Sequence, residues 1–82
     1  MARIAKRDDV SPTEGAREYG DVDFADPTNK KYPIDTADHV RHAWSYINKA
    51  SNAEKYSKAD AEEIRKRIRK AAPKFGVDIA DD

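Results

Sequence analysis

The chain has 82 residues, 39% of them charged and 38% hydrophobic, and its formal net charge is zero. A chain of this length has room for one domain at most. It contains no cysteine, which excludes a disulfide framework and a cysteine-ligated zinc site, and no apolar run approaches the roughly 18 residues that a membrane span needs.

The first thirty residues are poor in apolar side chains and rich in turn-forming ones. A segment of this composition buries too little surface to offset the entropy of ordering it. Residues 19–25 alternate weakly in hydrophobicity, but a strand without a partner is not stable, so we predict coil there. We therefore predict a flexible, largely disordered N-terminal arm over residues 1–30. The turn signals lie at Ser11-Pro12, Gly15, Gly20 and Asp26-Pro27.

The first predicted helix runs from about Thr36 to Lys49. Pro33 favours an extended conformation at the residue before it, and Asp35 or Thr36 offers a side-chain oxygen to the N–H groups of the first turn. Apolar residues then recur at i, i+3, i+4 and i+7, which is typical of a helix with one buried face. They are Val40, Ala43, Trp44 and Ile47.

The second predicted helix runs from Lys58 to about Ala72, after a loop over residues 50–56. Ser57 and Asp60 have the spacing of a capping box. Pro73 removes an intrahelical donor and should end the helix near Ala72. Gly76 is then a suitable left-handed stop, and the chain after it should fold back on the helices. The apolar stripe of this helix comprises Ala61, Ile64, Ile68, Ala71 and Ala72.

These elements predict an all-α fold, with a small two-helix (helix-loop-helix) domain over residues 31–80. Extended segments at either end should help to cover the two helices. A core of this size rarely supplies more than about 3–5 kcal/mol, so we expect marginal stability. The charged N-terminus lacks the apolar stretch of a signal peptide, so we expect a cytoplasmic protein without membrane contact.

No combination of residues indicates catalysis or metal binding. His39 and His42 are three apart, a spacing less suited to sharing one metal ion than four, and the sequence supplies no third ligand. Asp21 and Asp23 resemble the start of a calcium loop, but Ala25 stands where a third ligand is needed. No nucleophile motif and no phosphate-binding glycine loop is present. We expect no enzyme, no cofactor and no metal.

The basic part of the second helix is a candidate for nucleic-acid contact. A helix-turn-helix outline with a basic second helix is shared by many DNA-binding modules. The alternative is a solvated surface helix, which the sequence pI of about 6.7 and the long connecting loop favour. The candidate residues are Arg65, Lys66, Arg69, Lys70 and Lys74.

Two tyrosines are candidates for a partner surface. Tyr46 lies off the apolar stripe of the first helix, and Tyr56 lies just before the second helix. Trp44 lies on the stripe and is most simply a core residue. We expect a monomer that binds a protein partner through Tyr46 and Tyr56 or through the arm.

Three motifs resemble those of a small bacterial and phage family of unknown function. The segment 31–36 (K-Y-P-I-D-T) leads into a helix with H-V-R-x-A-W at 39–44, and 52–57 reads N-A-x-K-Y-S. The resemblance covers about residues 10–79, and Pro73 departs from it because a helix former is expected there. It implies an uncharacterised protein linked to phage proteins, often those of capsid maturation. It implies no activity, substrate or catalytic residue.

The sequence thus predicts a small, phage-related helical interaction module that binds protein. Nucleic-acid binding through the basic second helix is the alternative.

Overall fold

The computed structural model describes residues 4–79, in which four α-helices and one 3₁₀ helix pack with a two-stranded sheet. The N-terminal half of this range contains α1 (Pro12–Tyr19), β1 (Phe24–Asp26) and β2 (Lys31–Pro33). The C-terminal half contains α2 (Ala37–Ile47), α3 (Ala50–Ala53), α4 (Lys58–Ala71) and the 3₁₀ helix (Ala72–Phe75).

The two predicted helices are confirmed as α2 and α4. The Thr36 hydroxyl caps α2 by accepting the His39 N–H at 3.1 Å, and the Ser57 hydroxyl caps α4 by accepting the Asp60 N–H at 3.1 Å. The predicted stripes face each other across the core, and Trp44 is the one member that stays half-buried. The buried stripe residues are Val40, Ala43, Ile47, Ala61, Ile64, Ile68, Ala71 and Ala72.

The end of α4 follows the prediction closely. The helix stops at Ala71, and Pro73 lies in the 3₁₀ helix that continues it. Gly76 takes a left-handed conformation with φ of 67°, where a side chain would be strained. The Val77 N–H then donates to the Ala72 carbonyl at 2.9 Å, so the last described residues turn back onto the core.

The predicted all-α, helix-loop-helix fold is wrong, because residues 24–33 form a β-hairpin. Its strands are antiparallel, with Phe24 opposite Pro33 and Asp26 opposite Lys31. The coil predicted over residues 19–25 therefore includes the start of β1, and β1 pairs with β2 across a four-residue turn. In that turn the Asp26 carboxylate accepts the Asn29 N–H at 3.1 Å, which is the local bonding that favours aspartate in turns. The fold is α+β.

The predicted disordered arm is also wrong, since residues 4–30 belong to the fold. Ile4 is 3% exposed and lies in the core together with Ala25. The Ala5 N–H donates to the Asp60 Oδ2 at 3.1 Å, tying the N-terminal segment to α4. The prediction of disorder from composition failed because a few apolar residues, each packed against the helices, are enough to order the segment. That residues 31–80 form a domain of their own stays a prediction.

Helix α1 was not predicted and has no buried residue of its own. Pro12 stands at its first turn, where proline is favoured, and it ends at Gly20, whose φ is 82°. Two residues in the hairpin, Lys30 and Tyr32, have positive φ of 53° and 60°, which is uncommon outside glycine. No helix among residues 4–79 is both long and apolar enough to cross a membrane.

Candidate functional site

The structure separates the five basic candidates into two arginines that face α2, two lysines that face the β-hairpin, and the exposed Lys66. On the side facing α2, Arg65 donates to Asn48 at 3.1 Å and to Glu62 at 2.7 Å. Arg69 lies on the same side, with its guanidinium carbon 5.8 Å from the centre of the Trp44 ring. These two arginines are therefore held by neighbouring side chains and support the packing of α4 on α2.

Lys70 lies on the other side of α4, facing the β-hairpin, and Lys74 lies in the 3₁₀ helix that continues α4. They line a groove of about 360 Å³ between α4 and residues 22–34, which we call the basic groove. Lys66 is exposed and does not line it. The other lining residues are two cations, one acid and five apolar residues: Lys30, Arg67, Asp23, Val22, Phe24, Pro27, Ile34 and Ala71.

The structure also separates the two candidate tyrosines. Tyr46 is 51% exposed, whereas Tyr56 is 8% exposed and bonded inside the protein. Tyr46 instead shares a cleft of about 480 Å³ with residues from three other elements. We call it the aromatic cleft; Tyr19, Lys31, Tyr32, Pro33, His39, His42, Ala43, Tyr46 and Asn52 line it.

The aromatic cleft is built where α1, β2, α2 and α3 meet. Residues three and four apart on a helix share a face, so α2 presents His39, His42 and Tyr46 together. The end of α1 brings in Tyr19, whose ring meets the His39 ring edge-on with centroids 5.6 Å apart. The Asn52 amide donates to the Tyr46 carbonyl at 2.9 Å, which attaches α3 to the end of α2.

Charged neighbours orient the rings of the cleft. The Nδ1 atom of His39 lies 2.5 Å from the Oδ1 atom of Asp35, and the Lys49 ammonium lies 5.0 Å from the centre of the Tyr46 ring. The pKa of the Tyr19 hydroxyl is raised by the hydrogen bond with the Glu18 carboxylate and, to a smaller extent, by partial burial. The cleft can therefore supply aromatic faces, hydroxyl groups and imidazole nitrogens to a ligand.

The cleft offers no metal site among the described residues. His39 and His42 lie in it, but residues 4–79 hold no group of three or more histidine, cysteine, aspartate or glutamate side chains that could bind a metal ion. Asp35, which faces His39, is hydrogen-bonded to its Nδ1 atom.

A buried polar network was not anticipated from the sequence. The Tyr56 hydroxyl donates to the Asp26 Oδ2 at 2.7 Å and accepts from the Arg7 Nη1 at 3.1 Å. Asn29 links the same carboxylate to the N-terminal segment, accepting the Arg7 N–H at 2.6 Å and donating to Asp26 at 2.9 Å. We call Arg7, Asp26, Asn29 and Tyr56 the Arg7 network.

The Arg7 network joins distant parts of the chain. Burial, and then the hydrogen bond to Asp26, raises the pKa of Tyr56 well above its usual range. A hydrogen-bonded pair with Asp9 raises the pKa of Arg7. No buried side-chain polar atom within residues 4–79 lacks a partner, so the network is satisfied internally and serves to hold the fold.

Fold and surface together define a small α+β domain with an open aromatic cleft on one side and a basic groove on another. The chain belongs to a family of unknown function (DUF6582), whose model matches residues 1–82. No curated protein and no solved structure matched the chain.

Proposed function

We propose that this chain is a non-enzymatic interaction domain that binds a protein partner through the aromatic cleft. The observation that carries the proposal is the position of Tyr46, which is half-exposed in a cleft that two histidines and two further tyrosines also line. Tyrosine is enriched at protein interfaces because it offers a large apolar contact area with a hydroxyl at its tip. A partner side chain inserted between Tyr19 and Tyr46 would bury both rings.

The shape of the cleft supports binding rather than catalysis. It is open along one side, and His42 and Tyr46 are exposed. An enzyme site that shifts its acids and bases to working pKa values needs groups withdrawn from water. This openness supports the proposal that the chain is not an enzyme.

Nucleic-acid binding through the basic face of α4 has less support. Arg65 and Arg69 contact residues of α2 and its C-terminal end, while Lys70 on the opposite side of α4 and Lys74 in the 3₁₀ helix line the basic groove. The five cations therefore do not form one row along which a phosphate backbone could run.

We also propose that the protein is phage-related. This part of the proposal is supported only by the motif resemblance at 31–36, 39–44 and 52–57. If it holds, the partner is a phage-encoded protein, such as one that acts in capsid maturation.

Site-specific photo-crosslinking tests the proposed surface. A photoreactive amino acid is placed at position 46, and separately at position 19, in the protein expressed in its host. The control position is 45, where Ser45 is exposed on the same helix but does not line the cleft. We expect the same protein to be captured from positions 19 and 46 and not from position 45.

The captured protein is then purified and its affinity measured. A central tyrosine at an interface contributes about 2 kcal/mol or more, so Tyr46→Ala should weaken binding by about thirtyfold. Ser45→Ala should leave binding unchanged. Capture that is equal from all three positions, or an unchanged affinity for Tyr46→Ala, would reject the cleft as the binding surface.

A further inference from the structure

The basic groove has a separate chemistry from the aromatic cleft and shares no lining residue with it. Four cations and one acid line it, although the chain as a whole is formally neutral. Positive charge is therefore concentrated here by the fold, since Lys30 comes from the hairpin turn, Arg67 and Lys70 from one side of α4, and Lys74 from the 3₁₀ helix that follows it.

Two of the four cations are held by neighbouring side chains, and the other two make no ion pair within the described part of the chain. Arg67 donates to Glu63 at 3.1 Å, and the Lys30 ammonium lies 5.9 Å from the centre of the Phe24 ring. Lys70 and Lys74 make no ion pair within 4.0 Å among residues 4–79. These two ammonium groups are available to carboxylates of a ligand.

The floor of the groove is apolar. Val22 and Ile34 are half-buried there, and Phe24 is 6% exposed beneath the Lys30 side chain. Apolar surface enclosed by cations suits a ligand that combines carboxylates with an apolar side chain. It suits single-stranded nucleic acid poorly, because such binding uses exposed aromatic rings on which bases stack. Among the described residues that line this groove, the one aromatic ring is that of Phe24, which is buried.

We propose that the basic groove binds an acidic peptide segment of a protein partner, with an apolar side chain of the segment on Val22 and Ile34 and its carboxylates on Lys70 and Lys74. The inference goes beyond the proposed function, because it names a second surface and the chemistry of its ligand. The two proposals are tested separately, because the basic groove and the aromatic cleft share no lining residue.

The probe is a fluorescein-labelled peptide of twelve residues that alternates glutamate pairs with leucine and phenylalanine. One control peptide carries glutamine in place of every glutamate, and another carries serine in place of the leucines and phenylalanines. Fluorescence anisotropy at low salt should show binding of the probe, with both controls weaker by about tenfold or more.

The variants separate the groove from the general charge of α4. The double substitution Lys70→Glu with Lys74→Glu should weaken probe binding by about tenfold or more. Lys66→Glu and Lys70→Glu each change the charge by two units, so these two single variants form the matched comparison. Lys66 lies outside the groove, and Lys66→Glu should change probe binding by less than about twofold, whereas Lys70→Glu should weaken it clearly more. Since all three lysines are exposed, far-ultraviolet circular dichroism should confirm that the variants keep the fold.

A measurement on the wild-type chain removes any dependence on variants. Amide NMR shifts on adding the probe should cluster at residues 22–34 and 67–74, and Tyr46→Ala should leave the probe affinity unchanged. Failure to bind the probe, equal binding of the glutamine peptide, or equal weakening by Lys66→Glu and Lys70→Glu would overturn the proposal. Tighter binding of a twenty-nucleotide oligo-dT, lost equally on Lys66→Glu, would replace it with nucleic-acid binding.

Discussion

The Tyr56 hydroxyl donates a hydrogen bond of 2.7 Å to the carboxylate of Asp26, thirty residues earlier in the chain. Asp26 is fully buried and Tyr56 is 8% exposed. The same hydroxyl accepts a hydrogen bond from the Arg7 guanidinium at 3.1 Å, so one oxygen lies between a buried cation and a buried anion. The N-terminal segment, the hairpin and the start of α4 are connected through this oxygen.

Removing that hydroxyl should destabilise the fold. Tyr56→Phe leaves the Asp26 carboxylate and the Arg7 guanidinium each without one buried partner, which should lower the free energy of unfolding by about 1–3 kcal/mol. Tyr46→Phe, which removes the same atom from an exposed ring, should stay within about 0.5 kcal/mol of wild type. Urea denaturation followed by circular dichroism measures both, and equal effects would contradict the bridging role of Tyr56.

The N-terminal segment should contribute to stability through Ile4. Because this side chain is 3% exposed in the core, Ile4→Ala should lower the free energy of unfolding by about 2–5 kcal/mol through lost burial and a residual cavity. Lys6→Ala, an exposed change two residues away, serves as the control. An unchanged urea midpoint for Ile4→Ala would mean that residues 4–9 are not packed as described.

Gly15 lies inside α1, where alanine would normally stabilise an exposed helix by about 1 kcal/mol. Here a Cβ at Gly15 would lie 2.3 Å from the Lys30 carbonyl oxygen and 2.9 Å from the Lys30 Cβ. Gly15→Ala should therefore destabilise the protein by about 1–3 kcal/mol, because α1 must move away from the hairpin. Arg17→Ala on the same helix should have little effect, and a stabilised Gly15→Ala variant would show that α1 is not packed there.

Stability should fall at alkaline pH because buried tyrosines resist ionisation. Burial raises the pKa of Tyr32 and, together with the bond to Asp26, that of Tyr56, above the unfolded value of 10.0. Their contribution is complete below pH 10.0 and is lost as the pH rises from there towards the folded pKa values. Urea midpoints measured from pH 8 to 11 should decline less steeply above pH 10 for Tyr56→Phe than for wild type, and parallel curves would contradict the assignment.

The elements that local sequence determines were predicted well. Helices α2 and α4 carry capping hydroxyls, Thr36 and Ser57, and apolar residues at helical spacing, and both signals act within a few residues of each other. The sequence does not indicate α1, because this helix buries no side chain and contains Gly15. The reason for a glycine at this position is the close approach of the Lys30 carbonyl, which only the tertiary structure shows.

The sequence indicates only some of the residues that line the aromatic cleft and the basic groove. Tyr46 was singled out from its position off the apolar stripe, but the sequence does not reveal that α1 brings Tyr19 beside it. The basic run at residues 65–70, with Lys74, is visible in the sequence, but the sequence does not show which of these side chains face α2 and which face the hairpin. Tyr56, chosen as a surface residue, lies in the interior because Asp26 and Arg7 come to it from distant segments.

The sequence by itself determined the two main helices, their caps, the buried stripes and the left-handed stop at Gly76. Each depends on hydrogen bonds and periodicities that span about one or two turns. The tertiary structure alone decided the β-hairpin, the ordering of residues 4–30, the aromatic cleft and the basic groove. These features depend on contacts between segments far apart in the chain, where burial and hydrogen bonding must together offset the entropy of ordering, and no local pattern records that balance.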